Sequence, residues 1–500
     1  MTTTAVEREV KLDIPDGWEL PDLVAVPGVD RVSDAGEHSL LATYHDTADH
    51  RLLAGRATLR RRTGGTDPGW HLKLPRGTTP GGDRLEVRHD HRRPPRAVPE
   101  DLVALTRSRT RGADLTPVME LATRRRAQHL HAPDGTVLAE VVLDEVTATP
   151  PGGEPHRWRE VEVELVDGDA ALLEAAVQVL LDAGATRAAG PSKLGRALGR
   201  PGAARADVAS PGSVDGLVLA YLRAQVDALV DNDVRVRMGT ADGVHDMRVA
   251  TRRLRSTLAT HRRRLDPAQT ELRDELKHLG TVLGAARDAE VLGARLTAEL
   301  ADVPEPAGDA ETAQWVAQRL DDAWSAARGD LLATLDSDRY VELLAALEAL
   351  VAGERLPARS APGKDPRGKR RSVRHDLRRV RRALRDAKRV RGTADLPPAL
   401  HEVRKAAKRA RYAAEAVAPR VGGKASRFAE RMERLQDLLG AHQDDVVARA
   451  RLRELARQAR QDGPSTFPLG VVHERAERSD DAAYRASRSV LRDVRGSWPD

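Results

Sequence analysis

The segment VHDMRVATRRLR, residues 244–255, occurs a second time in this chain, because residues 401–411 read HEVRKAAKRAR. His245 aligns with His401 at an offset of 156 residues. The segment LGAARDAE, which begins at Leu283, aligns at the same offset with LGAHQDDV, which begins at Leu439. Two separate matches in one register indicate that the C-terminal three fifths of the chain is a duplicated unit, and its Ala/Leu/Arg/Glu-rich composition predicts helices.

The repeat predicts a basic stripe along one face of a helix in each copy. Offsets of 0, 3, 7 and 10 residues fall within an arc of about 80° on a helix. Acidic residues one helical turn away, which usually accompany a solvated basic helix, are sparse in both copies, so the pattern favours a partner with closely spaced negative charges. The stripes are His245, Arg248, Arg252 and Arg255 in the first copy, and His401, Arg404, Lys408 and Arg411 in the second.

A histidine-headed basic helix followed by a Leu-Gly-x-x-x-Asp turn, both present twice, resembles the CHAD family of α-helical domains. The resemblance covers roughly residues 213 to 497, and it departs in the second copy, where Gln443 matches Arg287. It implies two pseudo-symmetric helical bundles whose basic helices bind inorganic polyphosphate. The polyphosphate-binding residues that it implies are His245, Arg248, Arg252, Arg253, Arg255, His401, Arg404, Lys405, Lys408, Arg409 and Arg411.

Residues 6 to 165 alternate polar and apolar side chains with a period of two, which predicts β-strands. The polar positions are charged and carry both signs, as in VEREVKL (6–12), where Glu7, Glu9 and Lys11 share one face. In a single strand this pattern would indicate a sheet with one solvated face. In six or more strands it favours a closed barrel whose charged side chains line a hydrated lumen, although the open sheet remains the alternative.

The segments that follow VEREVKL arrive in a recognisable order. They are TYHDTADHRLLAGRATLRRR (43–62), WHLKLP (70–75), RLEVR (84–88), VVLDEV (141–146), EVEVEL (160–165) and PSK (191–193). Together they resemble the CYTH, or triphosphate tunnel, family over residues 5 to about 200. The resemblance implies an eight-stranded antiparallel β-barrel that hydrolyses or cyclises triphosphate compounds with Mg²⁺ or Mn²⁺.

This resemblance also implies a set of site residues. The residues expected to bind the triphosphate are Lys11, Arg60, Arg62, Lys73, Arg84, Arg124, Arg126 and Lys193. Those expected to hold the metal are Glu7, Glu9, Asp144, Glu162 and Glu164, and the expected catalytic set is Glu7, Glu9, Lys11, Glu162 and Glu164. By strand alternation, Arg61 and Arg125 are expected on the outer surface, and Asp46 is expected to cap a turn.

Composition limits the function further. The chain has no cysteine, which excludes disulfides and thiolate metal sites, and its N-terminus has no apolar segment typical of a secretion signal. Residues 1–200 hold 27 Lys and Arg against 31 Asp and Glu, whereas residues 201–500 hold 55 against 45, so the duplicated half is basic. Two Phe and five Tyr in 500 residues make nucleic-acid binding the less favoured reading, because few side chains could stack on bases.

The expected fold is α+β. It comprises an N-terminal eight-stranded barrel over residues 1–200, a linker over 201–213 and a helical domain over 214–500, with repeats at about 214–350 and 372–500. We expect a cytoplasmic protein without a membrane segment, with association with polyphosphate granules as an open question.

Three functional hypotheses follow from the sequence. The first is Mg²⁺-dependent hydrolysis of inorganic triphosphate, with the helical domain binding polyphosphate. The second is a polyphosphate-binding protein with a weakly active or inactive barrel. The third is a triphosphatase or cyclase that acts on a nucleotide or on thiamine triphosphate.

Overall fold

The computed structural model describes residues 2–75, 83–90, 94–190, 192–199, 214–261, 269–304, 309–352, 366–418, 422–477 and 480–492. The chain divides into two compact units, Met1–Ala206 and Asp207–Asp500. The first unit contains the sheet and the second is helical, which confirms the α+β class. The expected linker at 201–213 lies outside the described residues.

The N-terminal unit contains one antiparallel sheet of ten strands. The strands are β1 Thr2–Glu7, β2 Glu9–Asp13, β3 Arg31–Asp46, β4 Thr58–Thr63, β5 Gly69–Pro75, β6 Arg84–Asp90, β7 Thr116–His131, β8 Val137–Thr149, β9 His156–Leu165 and β10 Thr186–Arg187. Their order in the sheet is β1-β6-β5-β4-β3-β7-β8-β9-β2-β10.

The expected closed barrel of eight strands is not confirmed, because the sheet has ten strands and is not closed. The difference arises at Arg8, which interrupts the first strand. The part before Arg8, β1, pairs with β6, and the part after it, β2, pairs with β9. The two-residue strand β10 adds a further edge beside β2. One nearly continuous segment therefore pairs with strands that lie far apart in the sheet order.

The apolar face of the sheet packs against helix α3. Leu12, Val161 and Val163 alternate with the charged residues of β2 and β9, and all three are completely buried. They share a core with Val177 and Leu180 of α3. Burial of this face against a helix leaves the charged face of the same strands directed to the other side of the sheet.

Fourteen α-helices are present in the described residues. The N-terminal unit has α1 Arg51–Ala54, α2 Glu100–Thr110, α3 Ala170–Asp182 and α4 Lys193–Ala197. The C-terminal unit has α5 Val214–Arg237, α6 Gly243–His261, α7 Gln269–Ala301, α8 Ala310–Asp336, α9 Asp338–Val351, α10 Pro366–Arg389, α11 Leu396–Glu415, α12 Gly423–Asp462, α13 Phe467–Glu477 and α14 Asp480–Arg492.

Each repeat of the helical unit has its own apolar core. The first core includes Leu254 of α6 and Leu283 of α7, and the second includes Val403 of α11 and Leu439 of α12. A third cluster joins α7 and α8 to α12 and α13. The two Leu-Gly-x-x-x-Asp segments lie within the long helices α7 and α12, so the expectation that they form turns is wrong. No helix among the described residues is long and apolar enough to cross a membrane.

Asp46 anchors the short helix α1, as expected. Its Oδ1 accepts hydrogen bonds from the backbone N–H groups of Thr47 at 2.7 Å and Leu52 at 2.9 Å, and its Oδ2 accepts one from Leu53 at 3.0 Å. The side chain is completely buried. The carboxylate therefore satisfies three donors that water cannot reach.

We predict that Asp46→Ala lowers the free energy of unfolding of the N-terminal unit by at least about 2 kcal/mol, because it leaves buried backbone donors without partners. Hydrogen–deuterium exchange of peptides that contain Leu52 and Leu53 measures the effect. The control is Asp49→Ala, which removes an exposed carboxylate that pairs with Arg51. Equal exchange rates in the two variants would contradict the capping role.

Candidate functional site

The charged faces of β1 to β9 surround one cavity of about 420 Å³. Six of the eight cations expected to bind the triphosphate line it, together with two that were not expected. The lining basic residues are Lys11, Arg60, Arg62, Lys73, Arg84, Arg88, Arg125 and Lys193. The lining acidic residues are Glu7, Glu9, Asp67, Glu140, Glu162 and Glu164. The sequence pattern of both charge signs on one strand face thus corresponds to a single site.

Glu162, on β9, is shared by three cations from different elements. Its Oε1 accepts hydrogen bonds from Lys11 of β2 and Lys193 of α4, and its Oε2 accepts one from Arg125 Nη2 at 3.2 Å. Burial by itself raises the pKa of Glu162, but Lys11, Lys193 and Arg125 together hold it well below its usual range. The pKa of Lys193 is raised well above its ordinary value, against the effect of burial, by Glu160, Glu162 and Asp144. These groups are all charged at neutral pH.

A second ion-pair group lies around Lys73 and Glu86. Lys73 Nζ forms an ion pair with Glu7 Oε2 at 2.6 Å and lies 4.0 Å from both Glu9 Oε2 and Glu86 Oε1. Glu86 is completely buried and accepts from His71 Nδ1 at 3.0 Å. Burial lowers the pKa of His71 to about 4, so this histidine is a neutral partner that holds Glu86 in place.

Three carboxylates form a row across neighbouring strands. Glu140 of β8 lies opposite Glu164 of β9, and Glu164 lies opposite Glu9 of β2. Like charges at directly opposed positions destabilise a sheet. Burial raises the pKa of Glu164 to about 7, and Glu7, Glu9 and Glu162 add to the shift while Lys73 opposes it. Glu164 has no ion-pair partner among the described residues, so negative charge is incompletely neutralised here.

The carboxylates near this row fit a divalent cation. Burial first, and then Glu86 and Glu9, raise the pKa of Glu7 despite its contact with Lys73. Oxygen-only carboxylate clusters are typical of Mg²⁺ and Mn²⁺ sites. Glu7, Glu9 and Glu164 line the cavity and offer oxygen ligands of this kind from three strands, although their oxygens are not as close together as those of the cluster described next.

A tighter carboxylate cluster is already neutralised. Ligand oxygens of Asp144, Glu160 and Glu162 all lie within 4.8 Å of one another. Lys193 Nζ contacts all three, at 3.0 Å for Asp144 and 2.6 Å for Glu160, and Arg125 binds Asp144 through two hydrogen bonds of 2.9 and 2.7 Å. An ammonium group therefore occupies the position between these oxygens. Lys193 would have to move before Asp144 could bind a metal, just as Lys73 and Lys11 would have to leave Glu7 and Glu9.

The expected positions of Arg124 and Arg126 are wrong. Both side chains are exposed on the outer face of β7, where Arg124 pairs with Glu37 at 2.5 Å. Arg125, which was expected on the surface, lines the cavity instead. The reason is that three consecutive arginines give no alternation from which to assign a face. The neighbouring lining residues Thr123 and Ala127 fix the odd-numbered face as the inner one.

Several site residues were not selected from the sequence. Glu86 and Arg88 are on the charged face of RLEVR, so alternation already contained the signal for them. Glu160 extends the Glu162 and Glu164 pattern, and it is buried and accepts a hydrogen bond from Trp158 Nε1 at 2.6 Å. Tyr44 lines the cavity next to Arg60, which lowers its pKa although burial alone would raise it. No charge pattern pointed to Tyr44.

In the helical unit, α6 and α11 bring basic residues of the two repeats together. Burial lowers the pKa of Lys408 to about 6, and Arg252, Arg404 and Arg248 lower it further while Asp444 opposes them. Burial likewise lowers the pKa of Arg404, which also interacts with Arg252 and Arg248. Burial and mutual repulsion therefore disfavour the charged forms of basic groups from both repeats. We call Arg248, Arg252, Arg404 and Lys408 the inter-repeat basic cluster.

The repeated glycines explain why the two sequence matches recur together. The Cβ position of Gly284, in α7, lies 3.6 Å from Arg248 Nη2, and that of Gly440, in α12, lies 3.1 Å from Arg404 Nη2. Arg248 also lies 3.6 Å from Asp288, the acidic residue of the same segment. In both repeats the glycine lies against the arginine of its own basic helix, and a Cβ would crowd that arginine at Gly440 but would make an ordinary van der Waals contact at Gly284.

The remaining residues implied by the helical repeat have varied surroundings. Arg253 and Arg411 pair with Glu415, and Arg409 pairs with buried Asp376 at 2.8 Å, so protein carboxylates already neutralise them. Lys405 is exposed and pairs with Glu402, and Arg255 lies against Gly280 of α7. His245 lies near Arg287, whereas His401 contacts Gln443, which is the departure between repeats noted in the sequence.

The protein has a sheet unit with a cavity lined by charges of both signs, followed in the chain by a basic helical unit. The CYTH domain family matches residues 5–197, and the CHAD domain family matches residues 220–453. Uncharacterized protein MT2285 of Mycobacterium tuberculosis is 36% identical over 526 aligned positions, which cover 98% of this chain and 97% of the relative. The chain belongs to the family of proteins in which a CYTH domain precedes a CHAD domain.

Solved structures resemble parts of the chain. PptA from Streptomyces chartreusis is 22% identical, covers 56% of this chain and 99% of its own, and has a TM-score of 0.46. The CHAD domain from the plant Ricinus communis is 28% identical over 57% of this chain and 94% of its own, with a TM-score of 0.46. HpAC1 from Hippeastrum, for which a dominant triphosphatase activity is described, is 16% identical, covers 39% of this chain and 95% of its own, and has a TM-score of 0.22.

We predict that Lys408→Met stabilises the helical unit near neutral pH and that its advantage shrinks as the pH rises toward 10. The unfolded chain keeps Lys408 protonated up to a pKa of 10.5, whereas the folded chain releases the proton near pH 6. Because the unfolded state then binds more protons, wild-type stability increases between these values. Thermal unfolding followed by circular dichroism at several pH values measures the difference, and a pH-independent gap would contradict the assignment.

Proposed function

We propose that this protein hydrolyses inorganic triphosphate in the cavity of the CYTH domain with Mg²⁺, and that the CHAD domain binds inorganic polyphosphate through the inter-repeat basic cluster. The observation that supports the first part most strongly is the convergence of eight basic and six acidic side chains on one cavity of about 420 Å³. Such a mixture suits a ligand that is itself strongly anionic and is bound together with a cation.

The charge balance of the cavity favours a short phosphate chain. Tripolyphosphate carries about four negative charges at neutral pH, so it requires several fixed cations at close range. Lys11 and Lys73 now contact carboxylates that a metal would also use, Glu9 and Glu7. Binding of substrate and metal together would let the ammonium groups turn to phosphate oxygens while the carboxylates turn to the metal. The ligand-free ion pairs keep both sets of groups charged and near their positions.

The arginines would fix the orientation of the substrate. Arg60 and Arg125 present planar guanidinium groups that can bind two phosphate oxygens at once, whereas the lysines act as point charges. A bound divalent cation held by Glu7, Glu9, Glu162 and Glu164 would polarise the phosphoryl oxygens. One of these carboxylates would orient the attacking water. No protein nucleophile is required, since positioning and charge neutralisation account for most of the catalysis of phosphoryl transfer.

Two alternative activities differ from this proposal in observable ways. A nucleotide or thiamine triphosphate would need a surface for its ring, and among the described lining residues the aromatic ones are Tyr44, His38 and His129. This lining is poorer in apolar surface than a base pocket would be, which favours inorganic triphosphate. A cavity that only binds phosphate would retain affinity for tripolyphosphate without turnover, so the two readings differ in phosphate release.

The second part of the proposal is supported by the uncompensated charge of the helical unit. The folded chain lowers the pKa of Arg248, Arg404 and Lys408 through burial and mutual repulsion. A bound polyanion would relieve that repulsion. Arg252 is held toward the cluster by a hydrogen bond from its Nε to the hydroxyl of Tyr412 at 2.7 Å. Linear polyphosphate carries the closely spaced charges that four neighbouring cations need.

We predict that the wild-type protein releases orthophosphate from tripolyphosphate with Mg²⁺, and that Glu7→Gln/Glu9→Gln reduces the rate by at least about 100-fold, as expected for the loss of metal ligands. Malachite-green detection of phosphate measures the rate, and thermal melting verifies the folding of the variant. The absence of phosphate release by wild type with Mg²⁺ or Mn²⁺ would contradict the enzymatic proposal and leave the binding-only reading.

Neighbouring arginines of β7 provide a matched pair that tests the orientation of the cavity. We predict that Arg125→Gln reduces kcat/KM for tripolyphosphate by about 10- to 100-fold, because a guanidinium at bidentate distance from phosphate contributes about 1.5 to 3 kcal/mol. Arg124→Gln, on the outer face of the same strand, is expected to leave kcat/KM unchanged. A larger loss of kcat/KM in Arg124→Gln than in Arg125→Gln would contradict the placement of Arg125 inside the cavity.

A further inference from the structure

Helix α10 carries a basic surface that neither proposed site uses. From residue 373 to residue 389 it has eight Lys and Arg residues and two Asp residues. At about 100° per residue, five of the basic residues fall within an arc of about 80°, and they follow one line of about 21 Å along the helix. We call this line the α10 stripe, and it consists of Arg374, Arg378, Arg381, Arg385 and Lys388.

The α10 stripe faces away from the apolar core of its repeat. Val373, Leu377 and Val380 of the same helix are completely buried in that core. The basic residues of the stripe are exposed, except for Arg381, which is partly buried. The helix is therefore already fixed by its apolar side, and its basic side is presented as a rigid row. A rigid row loses less conformational entropy on binding than flexible lysines in a loop would.

The described part of α10 has a large excess of basic over acidic residues. Asp376 is buried and pairs with Arg409 of α11, so the acidic side chain on the exposed side of the described part of α10 is Asp386, which pairs with Arg389 at 3.0 Å. By contrast, α12 has nine basic and seven acidic residues over its 40 residues. A merely solubilising surface has no need for such an excess of one sign.

We propose that the α10 stripe is a second binding surface for inorganic polyphosphate, which holds the part of a long chain that extends beyond the inter-repeat basic cluster. This inference rests on the proposed polyphosphate binding by the CHAD domain. Helix α10 packs beside both basic helices, since Asp376 contacts Arg409 of α11 and accepts a hydrogen bond from Thr260 of α6 at 3.1 Å. A long chain could therefore contact both surfaces of one domain.

Among polyanions, polyphosphate fits this surface better than nucleic acid or an anionic membrane. The described part of α10 contains no aromatic residue on which a base could stack. Its apolar side is buried in the protein core and so has no free surface to enter a lipid bilayer. A straight row of cations requires only a thin, flexible chain of negative charges. Chain-length discrimination is the functional consequence, because only long chains would gain the additional contacts.

The test compares a short and a long sodium polyphosphate in equilibrium titrations of the full chain at several salt concentrations. We expect Arg378→Glu/Arg385→Glu/Lys388→Glu to weaken binding of the long chain by at least about tenfold and to reduce its salt dependence by about 0.7 in log–log slope per lost contact. Binding of the short chain is expected to stay within about twofold of wild type, because the inter-repeat cluster is unchanged.

The matched control is Arg427→Glu/Arg434→Glu/Arg460→Glu, which makes the same change in net charge at exposed positions of α12. Equal losses in the two triple variants would overturn the proposal, because net charge alone would then explain them. A second triple variant, Arg378→Gln/Arg385→Gln/Lys388→Gln, removes the charges without reversing them, and it should show a smaller loss in the same direction if the first variant is correctly folded. Wild type that binds both chain lengths equally would also overturn the inference.

A different result would refute the proposed polyphosphate binding by the CHAD domain itself. If wild type bound neither the short nor the long polyphosphate, polyphosphate binding by the CHAD domain would itself be refuted. Competition with double-stranded DNA at matched salt provides the last comparison. DNA that displaces long polyphosphate from wild type at equal phosphate concentration, but not from the α10 variant, would reassign the stripe to nucleic acid and overturn the proposal.

Discussion

The N-terminal unit depends on the sharing of one carboxylate, Glu162, among cations from three separate elements. Lys11, Lys193 and Arg125 come from β2, α4 and β7, and each contacts this carboxylate. Burying an unpaired charge costs several kcal/mol, so none of these side chains could face an enclosed cavity alone. The pairs make a highly charged cavity compatible with a folded sheet, and they keep each group ionised. A neutral cavity of the same size could not attract a polyphosphate.

The same reasoning separates the two carboxylate groups. The carboxylate of Asp144 is neutralised by the neighbouring side chains of Lys193 and Arg125. Glu164 differs, because it lies opposite Glu9 and Glu140, has no ion pair among the described residues, and has its pKa raised to about 7, mainly by burial. The helical unit shows the opposite local imbalance, since burial and neighbouring basic groups lower the pKa of Lys408 to about 6. These two places supply the electrostatic support for the proposed metal and polyphosphate sites.

Much of this organisation could be predicted from the sequence. The α+β class, the duplication and the charged faces of the strands followed from periodicity, and the family match confirms the recognition of both domains. Six of eight expected phosphate-binding cations line the cavity because their strands alternate clearly. Arg124 and Arg126 were assigned to the wrong face of the strand. Three consecutive arginines show no polar–apolar alternation from which the inner face could be recognised. The alternation pattern also could not predict whether the sheet closes into a barrel, because closure depends on how the chain pairs on each side of Arg8. Likewise, sequence could not show that Asp376 neutralises Arg409, because this contact joins two helices, whereas Glu415 lies one helical turn from Arg411 and could have been noticed.

The measurement that tests the central claim most directly is a crystal structure of the protein with tripolyphosphate and Mn²⁺, recorded at a wavelength that reveals manganese by anomalous scattering. The account predicts a triphosphate inside the cavity, bound by Lys11, Lys73 and Arg125, with an anomalous peak beside Glu7, Glu9 and Glu164. A triphosphate bound only in the helical unit or at the outer arginines of β7, with no manganese in the cavity, would contradict it.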